Sequence, residues 1–580
     1  MTLLDADPTG QGEDAPGPWQ RLWRLPFRWH LAALAIVLLA LLPLMSPGSA
    51  FTSDEGAYAL QAAALEDGGW ADDGWAYDYR AAPLDPAGAN FPIILSPRSD
   101  DSFYTYVSHP AYPVLLTVGR RLLGPVFGMH LLSLIGALGA AAAAWMVAAE
   151  LDRGSRRLAF WLVAAGPAVA NGYVIWAHSL SAALAGVAIA LAIRIVRRGP
   201  SPLVLGGLGL TLATGALLRS EAVLLALVVA VAVAVAVWRL RRQGIVAGIA
   251  TLAALAGPTA LAVLAERRWT VAIVGGPSDN LQLRGGESST SYIGGRITGS
   301  WHDLFNGYFE QASAMLPVLL TMGLVLGLGF LALRRWRPES RRDLAVVAVA
   351  AVGLVAARMI LFPGETVTGL FAAWPLALLG VLLLPRRTQG SAPGLGFCLV
   401  IVLGFMAAVV LTEYPEGGGV QWGGRFFSPV LVPLGVLAVI GFRHRLADLE
   451  PGDRRWAAAC LSIVAAATAV LGIFTVAEGR ARHDRIVAAV SRHPAPVMVT
   501  TFRGLPRIAW REDERLTWMI SDKAGLGDLL ARLDQNGVTR LSLVTPRADR
   551  GLGWPDGWTG EEVDEPALRQ SGLGLFLLQR

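Results

Sequence analysis

Lysine, cysteine and charged residues in general are scarce in this chain of 580 residues. Charged residues make up 16% of the sequence, against roughly 25% in soluble domains, while 54% of residues are hydrophobic and the mean hydropathy is +0.49. These values exclude an ordinary soluble protein and predict a polytopic membrane protein. The two cysteines, Cys398 and Cys460, lie inside apolar runs, which argues against a disulfide framework or a zinc site.

Arginine supplies almost all of the positive charge, because Lys523 is the only lysine. The arginines stand between apolar runs and not in one patch, so the net charge of +5 does not indicate nucleic-acid binding. With so much Ala, Val, Leu and Gly, this bias is typical of a GC-rich bacterial genome. The predicted location is therefore a bacterial plasma membrane.

Apolar stretches near the length of about 20 residues that a membrane helix needs recur along the chain. The predicted spans are 29–48, 127–149, 157–173, 179–196, 203–219, 222–239, 245–265, 314–333, 343–362, 368–384, 395–412, 427–442 and 456–476. A count of thirteen puts every arginine cluster on one side, which the positive-inside rule makes cytoplasmic. The sequence thus predicts a cytoplasmic tail at 1–28, a multi-pass α-helical membrane domain at 29–477 and an extracytoplasmic C-terminus.

The first apolar run allows a second interpretation, because the following GSA resembles a signal-peptidase site. The run is longer than the apolar region of a usual signal peptide, and the preceding tail is long and of mixed charge. These features favour an uncleaved first helix.

Three long segments fall on the outer side in this topology. The loop at 49–126 is rich in acids and aromatics, and its AYPVLLTVGRRLLG stretch predicts a helix lying in the membrane interface. The loop at 266–312 is rich in Gly and Ser. Residues 478–580 contain short strand patterns (VMVTTF, RIAWR, LTWMI, TRLSLVTP, LGLFLLQR) and one amphipathic helix, LGDLLARLDQNG, which together predict a small α/β domain.

Asp54 and Glu55 follow the first predicted span directly and are the candidate catalytic residues. Ionised carboxylates at a membrane boundary lower stability unless water, a metal or a substrate faces them. One interpretation is structural, since Thr52, Ser53 and Asp54 precede a helical pattern and can cap it. The other is general-base catalysis, in which a carboxylate deprotonates an acceptor hydroxyl. Both can hold together.

Five further side chains are candidates for binding a phosphate or sugar: His109, His178, Arg219, Arg358 and Arg425. Each also has a structural interpretation, because lone histidines commonly serve as structural donors and Arg219 can pair locally with Glu221. Arg358 lies within an apolar stretch, where an unpaired arginine costs about 2.5–3.5 kcal/mol, so it must pair or face a polar groove. Arg425 follows a Gly-rich loop and is the preferred phosphate contact.

A divalent cation is possible but is not required by the sequence. Its oxygen ligands would come from the acids of the first outer loop. Those acids are Asp72, Asp73, Asp78, Asp100 and Asp101. Their spacing is not diagnostic of a metal site, and a solvated loop face is the simpler interpretation.

Four motifs together resemble the GT-C superfamily of membrane glycosyltransferases, most closely its protein O-mannosyltransferase and aminoarabinose transferase-like branch. They are SDEG after the first span, SHPAYPVLL before the second, LLRSEA, and GGRFFSP before a late span. The resemblance covers most of residues 29–445 and leaves the C-terminal domain outside. It implies a GT-C-like fold, in which Asp54 is the catalytic carboxylate and Glu55 its neighbour.

The resemblance also implies a polyprenyl-phosphate sugar as donor, attacked on the extracytoplasmic side with inversion at the anomeric carbon. The acceptor is an envelope lipid, polysaccharide or protein. One departure is Ala177 in WAHS, where many relatives carry an acid beside the histidine. Two other function classes remain open: a flippase or transporter of lipid-linked glycans, and a non-catalytic scaffold for envelope assembly.

Overall fold

The computed structural model describes most of the chain. The described residues are 25–68, 75–86, 88–93, 103, 109–240, 244–274, 299, 303–305, 323, 327, 349, 353, 356–357, 360, 367, 369–385, 394–412, 422–513, 515–549, 554 and 557–580. Most residues of the predicted spans at 314–333 and 343–362 and of the predicted loop at 266–312 lie outside them. Residues 266–274, at the predicted start of that loop, are instead the last residues of helix Gly244–Val274.

Within these residues, eight helices are long and apolar enough to cross a membrane. They are Phe27–Met45, Phe127–Leu151, His178–Arg198, Ser220–Arg239, Gly244–Ile273, Gly394–Thr412, Arg425–Ala447 and Pro451–Ser491. Pro202–Leu218 is a shorter apolar helix. Each of these nine helices matches a predicted span within a few residues at its start.

Two other predicted spans are interrupted in the structure. The stretch 157–173 is divided into Arg156–Ala164, Pro167–Ala170 and a 3-10 turn at Asn171–Tyr173. The stretch 368–384 is divided into Leu370–Ala373 and Pro375–Leu382. In both, a proline opens the next helix, because its ring favours a first-turn position and cannot donate a hydrogen bond to the preceding turn. The prediction of one continuous helix in each stretch is wrong.

Small residues let the central helices approach closely. A side chain at Gly136, on Phe127–Leu151, would overlap the backbone of Leu180 on the neighbouring helix. A side chain at Gly186 would likewise press on Ala143 and Val432. Such small-residue contacts are the usual basis of helix packing in membranes, where there is no hydrophobic drive between helices.

Three of the predicted cytoplasmic arginine clusters, those around Arg156, Arg198 and Arg443, lie at one end of the helix bundle. Arg443 donates to Asp152 at 2.6 Å, and Arg198 donates to Glu150 at 3.2 Å. Arg425 stands at the opposite end of the apolar helix that carries Arg443. The structure therefore separates Arg425 from these clusters by the length of a membrane helix.

The last of the eight apolar helices, Pro451–Ser491, is called the long C-terminal helix below. Its 41 residues extend about 60 Å, twice the roughly 30 Å of a bilayer core. The sequence placed the end of the span at 476 and began the C-terminal domain at 478, but the helix continues without a break. Ile486, Ala489 and Val490, beyond that limit, are buried against the C-terminal sheet.

The C-terminal residues form a five-stranded mixed sheet in the order β2-β1-β3-β5-β4. The strands are β1 Met498–Thr500, β2 Trp518–Ile520, β3 Arg540–Pro546, β4 Thr559–Val563 and β5 Leu573–Gln579. β1 is parallel to β2 and β3, and β5 is antiparallel to β3 and β4. Helix Leu526–Gln535 buries its leucines on the sheet. The predicted strand RIAWR is instead helical, in Leu505–Ile508 and Trp510–Glu512.

The first outer loop contributes two helices. Ser53–Gly68, called the first-loop helix below, begins eight residues after the first apolar helix ends at Met45. Ala111–Leu123 follows later in the loop and packs against it. Leu115, Leu122 and Leu123 of the second helix are exposed, as its predicted interfacial position requires.

Candidate active site

Asp54 occupies the first turn of the first-loop helix. A reciprocal pair of hydrogen bonds fixes this turn: the Glu55 backbone N–H donates to Thr52 Oγ1 at 3.3 Å, and the Thr52 N–H donates to Glu55 Oε2 at 3.1 Å. This is the capping box that a Thr-x-x-Glu sequence forms at a helix N-terminus. The box sets the direction in which Asp54 leaves the helix.

The Glu55 side chain is completely buried and binds protein groups through both oxygens. Besides Thr52, the backbone N–H groups of Phe51 and Ile175 donate to it, the latter at 2.5 Å. Arg480, from the long C-terminal helix, forms an ion pair with it and is also fully buried. Glu55 therefore joins the first outer loop, the segment just before helix His178–Arg198 and the long C-terminal helix.

The long C-terminal helix holds the segment before Asp54 at two further points. His483 donates to the carbonyl oxygen of Ala50 at 2.8 Å, and Asp484 accepts from Ser49 Oγ at 2.7 Å. His130, from helix Phe127–Leu151, donates to the carbonyl oxygen of Pro47 at 3.1 Å. These contacts fix the entry to the first-loop helix.

Asp54, in contrast, leaves its carboxylate 45% exposed. Arg425 Nη1 donates to Asp54 Oδ2 at 2.9 Å, and this guanidinium lies over the Phe426 ring at 4.9 Å. Gly424, directly before Arg425, has a φ of 62°, and a side chain there would overlap Leu370. Only glycine fits this close, left-handed turn without strain, so the GGRF sequence carries Arg425 to Asp54.

His178 lies close to Arg425 and is buried. Its buried imidazole is 3.4 Å from Ser428 Oγ and meets the Trp176 ring edge to face at 4.6 Å. It is close enough to Arg219 and Arg425 to interact with both charges. The structure therefore places His178 between the Asp54–Arg425 pair and a second polar cluster.

That second cluster contains His109, Arg219, Glu221 and Glu266. Arg219 pairs with the buried carboxylate of Glu221 through two nitrogens, as the local interpretation of the sequence anticipated. His109 Nδ1 lies 3.6 Å from Glu266 Oε1. Burial, with the charge of Arg219, lowers the pKa of His109 to about 4, so its imidazole is neutral at physiological pH.

The C-terminal domain supplies an arginine that the sequence did not indicate. Arg507 Nη1 lies 3.9 Å from Asp54 Oδ1, and its side chain is only 12% exposed. The Arg507 carbonyl oxygen also packs against Gly56, where a side chain would overlap it. Because 453 positions separate Arg507 from Asp54 and RIAWR has the pattern of a strand, nothing local in the sequence marks this contact.

The structure thus brings five of the seven predicted site residues into one region. They are Asp54, His109, His178, Arg219 and Arg425. Glu55 adjoins them but is enclosed by protein groups, and Arg358 lies outside the described residues. Arg480 and Arg507 are the two arginines at this site that sequence reasoning missed.

A metal site is not assembled by the residues that the structure describes, since they contain no group of three His, Cys, Asp or Glu side chains able to hold an ion. Of the candidate acidic ligands, Asp72, Asp73, Asp100 and Asp101 lie outside those residues. Asp78 is 90% exposed and lies 3.9 Å from Arg80.

No protein-family profile and no curated protein sequence matches this chain. Solved structures do match. ArnT from Cupriavidus metallidurans in its apo state has 12% identity and a TM-score of 0.51, over 95% of this chain and 98% of ArnT. The same protein bound to undecaprenyl phosphate gives 13% identity, the same coverage and a TM-score of 0.46. The oligosaccharyltransferase AglB from Archaeoglobus fulgidus, in complex with an inhibitory peptide and a dolichol-phosphate, has 13% identity and a TM-score of 0.44, over 90% of this chain and 69% of AglB.

The apo ArnT match establishes the fold. This chain therefore has the fold of ArnT, as the predicted GT-C resemblance implied, and is a multi-pass helical membrane protein. The predicted resemblance is confirmed at that level. Its predicted limit at residue 445 is too short, because a match over 95% of the chain includes most of the C-terminal domain.

Proposed function

We propose that this chain, which has a GT-C fold, is an inverting glycosyltransferase that moves a sugar from a polyprenyl-phosphate donor to an envelope acceptor. The observation that carries the proposal is Asp54, a half-exposed carboxylate held at a capped helix start and paired with Arg425. ArnT, whose fold this chain shares, binds undecaprenyl phosphate, which supports a lipid-linked donor. The acceptor is a lipid, polysaccharide or protein of the envelope.

In the proposed reaction, an acceptor hydroxyl attacks the anomeric carbon of the donor sugar. The new carbon–oxygen bond forms on the face opposite the phosphate, so the configuration inverts as the bond to the phosphate oxygen breaks. Asp54 accepts the hydroxyl proton as general base, and polyprenyl phosphate leaves with the bonding electrons. Arg425 stabilises the negative charge that develops on the leaving phosphate.

Glu55, first considered a second catalytic carboxylate, has a different part in this proposal. Its oxygens accept hydrogen bonds from three backbone N–H groups and an ion pair from Arg480, all in buried surroundings. We assign it to positioning, because these contacts fix the turn from which Asp54 projects. A group held in this way supports preorganisation, on which electrostatic catalysis depends.

The remaining candidates are proposed as donors to the sugar or phosphate. His178 is close to both Arg425 and Arg219, and Arg219 is in turn close to His109. A neutral His109 donates a hydrogen bond without adding charge, which suits a sugar hydroxyl better than a phosphate. Arg358 is retained from the sequence as a further phosphate contact.

The reaction is proposed to take place on the extracytoplasmic face. Two observations support this orientation: three arginine clusters, around Arg156, Arg198 and Arg443, lie at one end of the bundle, and Arg425 lies at the opposite end. With a cytoplasmic N-terminus, Asp54 and the C-terminal domain then lie outside.

The test is transfer by purified protein from a panel of radiolabelled polyprenyl-phosphate sugars to envelope acceptors. Asp54→Asn should lower turnover by roughly 10²- to 10⁴-fold while the protein still folds, because only the proton acceptor is lost. Asp528→Asn is the matched control, since Asp528 is also exposed in the first turn of a helix and should leave turnover unchanged.

Three outcomes contradict the proposal. Wild-type protein that transfers no sugar from any donor is not this enzyme. Lipid translocation without a new glycosidic bond identifies a flippase. An Asp54→Asn variant with full function in envelope assembly identifies a scaffold.

A further inference from the structure

The C-terminal domain contacts the first outer loop at several places, including the following three. Tyr77 donates to Asp513 at 2.5 Å. Asn90 makes two hydrogen bonds of 2.8 Å with Ile520 of the edge strand β2. The Ile520 N–H donates to the Asn90 carbonyl oxygen, and the Asn90 side-chain amide donates to the Ile520 carbonyl oxygen. The third place is the contact of Arg507 with Gly56 and Asp54. The domain is thus fixed against the loop that carries the candidate base.

Arg507 is the residue of that domain nearest to the candidate base. At 3.9 Å from Asp54 its Nη1 is too distant for a hydrogen bond, whereas Arg425 makes one at 2.9 Å to the other carboxylate oxygen. The Arg507 Nε is buried and has no hydrogen-bond partner among the described residues. Burial lowers the pKa of Arg507, opposed by the charge of Asp54, and a guanidinium starts from so high a value that it stays charged.

The local charge favours a second anion. Arg425 and Arg507 approach the two oxygens of Asp54 from different elements, so two guanidinium groups face one carboxylate. The Arg507 Nε makes no hydrogen bond among the described residues, and a buried donor left without an acceptor is unfavourable until a ligand supplies one. A phosphate suits this arrangement, because the planar guanidinium donates two parallel hydrogen bonds to phosphate oxygens.

We infer that Arg507 of the C-terminal domain, together with Arg425, binds the phosphate of the lipid-linked donor, so that the C-terminal domain completes the active site. This inference rests on the proposed function. Arg507 carries no proton in the reaction. It orients the donor with its anomeric carbon towards the hydroxyl that Asp54 activates, and it stabilises the phosphate as it leaves.

The experiment compares three forms of the full-length protein in detergent: wild type, Arg507→Gln and Arg507→Lys. Arg507→Gln should raise the KM for the donor and the inhibition constant of free polyprenyl phosphate by about 10- to 100-fold, as expected for lost charge-assisted hydrogen bonds. Arg507→Lys should give intermediate values of both constants, because lysine keeps the positive charge but cannot donate two parallel hydrogen bonds to a phosphate. Arg515→Gln is the matched control, since Arg515 is 78% exposed in the same segment and should behave as wild type.

Two further measurements distinguish phosphate binding by Arg507 from a purely structural role of this residue. The thermal midpoint of Arg507→Gln should match wild type, and millimolar methylguanidinium should restore part of the activity of Arg507→Ala. Unchanged KM and unchanged polyprenyl phosphate inhibition in Arg507→Gln would overturn the inference, as would loss of activity that follows only loss of folding and is not restored by methylguanidinium.

Failure of the proposed function is distinguishable from failure of this inference. If wild type transfers no sugar, the function is wrong, and direct binding of polyprenyl phosphate, measured by native mass spectrometry, still decides the role of Arg507. Weaker binding by Arg507→Gln than by Arg515→Gln supports the phosphate contact, and equal binding rejects it.

Discussion

Asp54 and Glu55 are adjacent carboxylates in opposite environments. Consecutive positions on a helix are rotated by about 100°, so neighbours in sequence do not face the same side. Here one carboxylate is 45% exposed beside two arginines, while the other is fully buried with Arg480. The division between a reactive and a supporting carboxylate therefore follows from helix geometry.

The buried Glu55–Arg480 ion pair should contribute to the free energy of unfolding. Glu55→Gln should lower the free energy of unfolding by about 3–5 kcal/mol, because it leaves the Arg480 charge buried without compensation. Thermal or denaturant unfolding in detergent measures this loss. Asp54→Asn is the control and should cost no more than about 1 kcal/mol, since its ion pair is partly exposed.

A double variant tests the cause of that loss. Glu55→Gln with Arg480→Met removes both charges and should be more stable than Glu55→Gln alone. A Glu55→Gln protein with the wild-type unfolding midpoint would show that the buried pair contributes little.

The site residues that could be predicted from the sequence are those marked by a pattern in their neighbouring residues. Asp54 is identified by its position directly after the first apolar run, and Arg425 by its position after a Gly-rich loop. Arg480 had no such signal, because mean hydropathy falls after residue 476 and the helix was expected to stop there. Helix formation does not require apolar residues, and AEGRARHDRIVAAV is rich in good helix formers.

Among the elements, the first-loop helix and the short helix Leu505–Ile508 are in close contact. The carbonyl oxygen of Arg507 occupies the space that a side chain at Gly56 would need. Backbone atoms cannot move aside as a flexible side chain can. The small size of residue 56 is therefore required for the C-terminal domain to reach the site.

Gly56→Ala should separate these two helices while leaving the helical conformation intact, because alanine is a better helix former than glycine. We expect turnover to fall at least tenfold, and hydrogen exchange to increase in residues 505–513 and in β2. Gly527→Ala is the matched control, since Gly527 also lies in the first turns of a helix and has open space around it. Normal turnover with unchanged exchange in Gly56→Ala would contradict the close contact.

Prolines show why the apolar pattern predicted some elements and not others. Pro258 lies inside a continuous helix of 31 residues, whereas Pro167 and Pro375 each begin a new helix. Proline within a membrane helix is tolerated when its surroundings satisfy the freed backbone groups. Those surroundings are tertiary, so hydropathy located the apolar stretches among the described residues but could not decide which are continuous helices.

At the scale of the whole molecule, the GT-C fold was predicted from four short motifs, whereas the docking of the C-terminal domain was not. The motifs are local, but the docking depends on contacts such as Asn90 with Ile520 and Arg532 with Asp85, the latter pair 3.7 Å apart. These partners are more than 400 positions apart and have no shared pattern in the sequence. The site is therefore complete only in the folded chain.

The scarcity of lysine provides a test of the proposed orientation. Lys523 is the only lysine, and it is exposed in the C-terminal domain, between β2 and helix Leu526–Gln535. A membrane-impermeant amine reagent added to intact spheroplasts should therefore modify Lys523 if that domain is extracytoplasmic. Peptide mass spectrometry identifies the modified position, and Lys523→Arg should abolish the signal.

The N-terminal amine is an internal control in the same experiment, because a cytoplasmic N-terminus should react only after the membrane is permeabilised. Modification of the N-terminus in intact spheroplasts, with Lys523 protected until permeabilisation, would reverse the proposed topology. Asp54 would then face the cytoplasm with the C-terminal domain, since Arg507 lies 3.9 Å from it. Because that contact ties the two together, labelling at one lysine reports the side of the membrane on which the candidate active site lies.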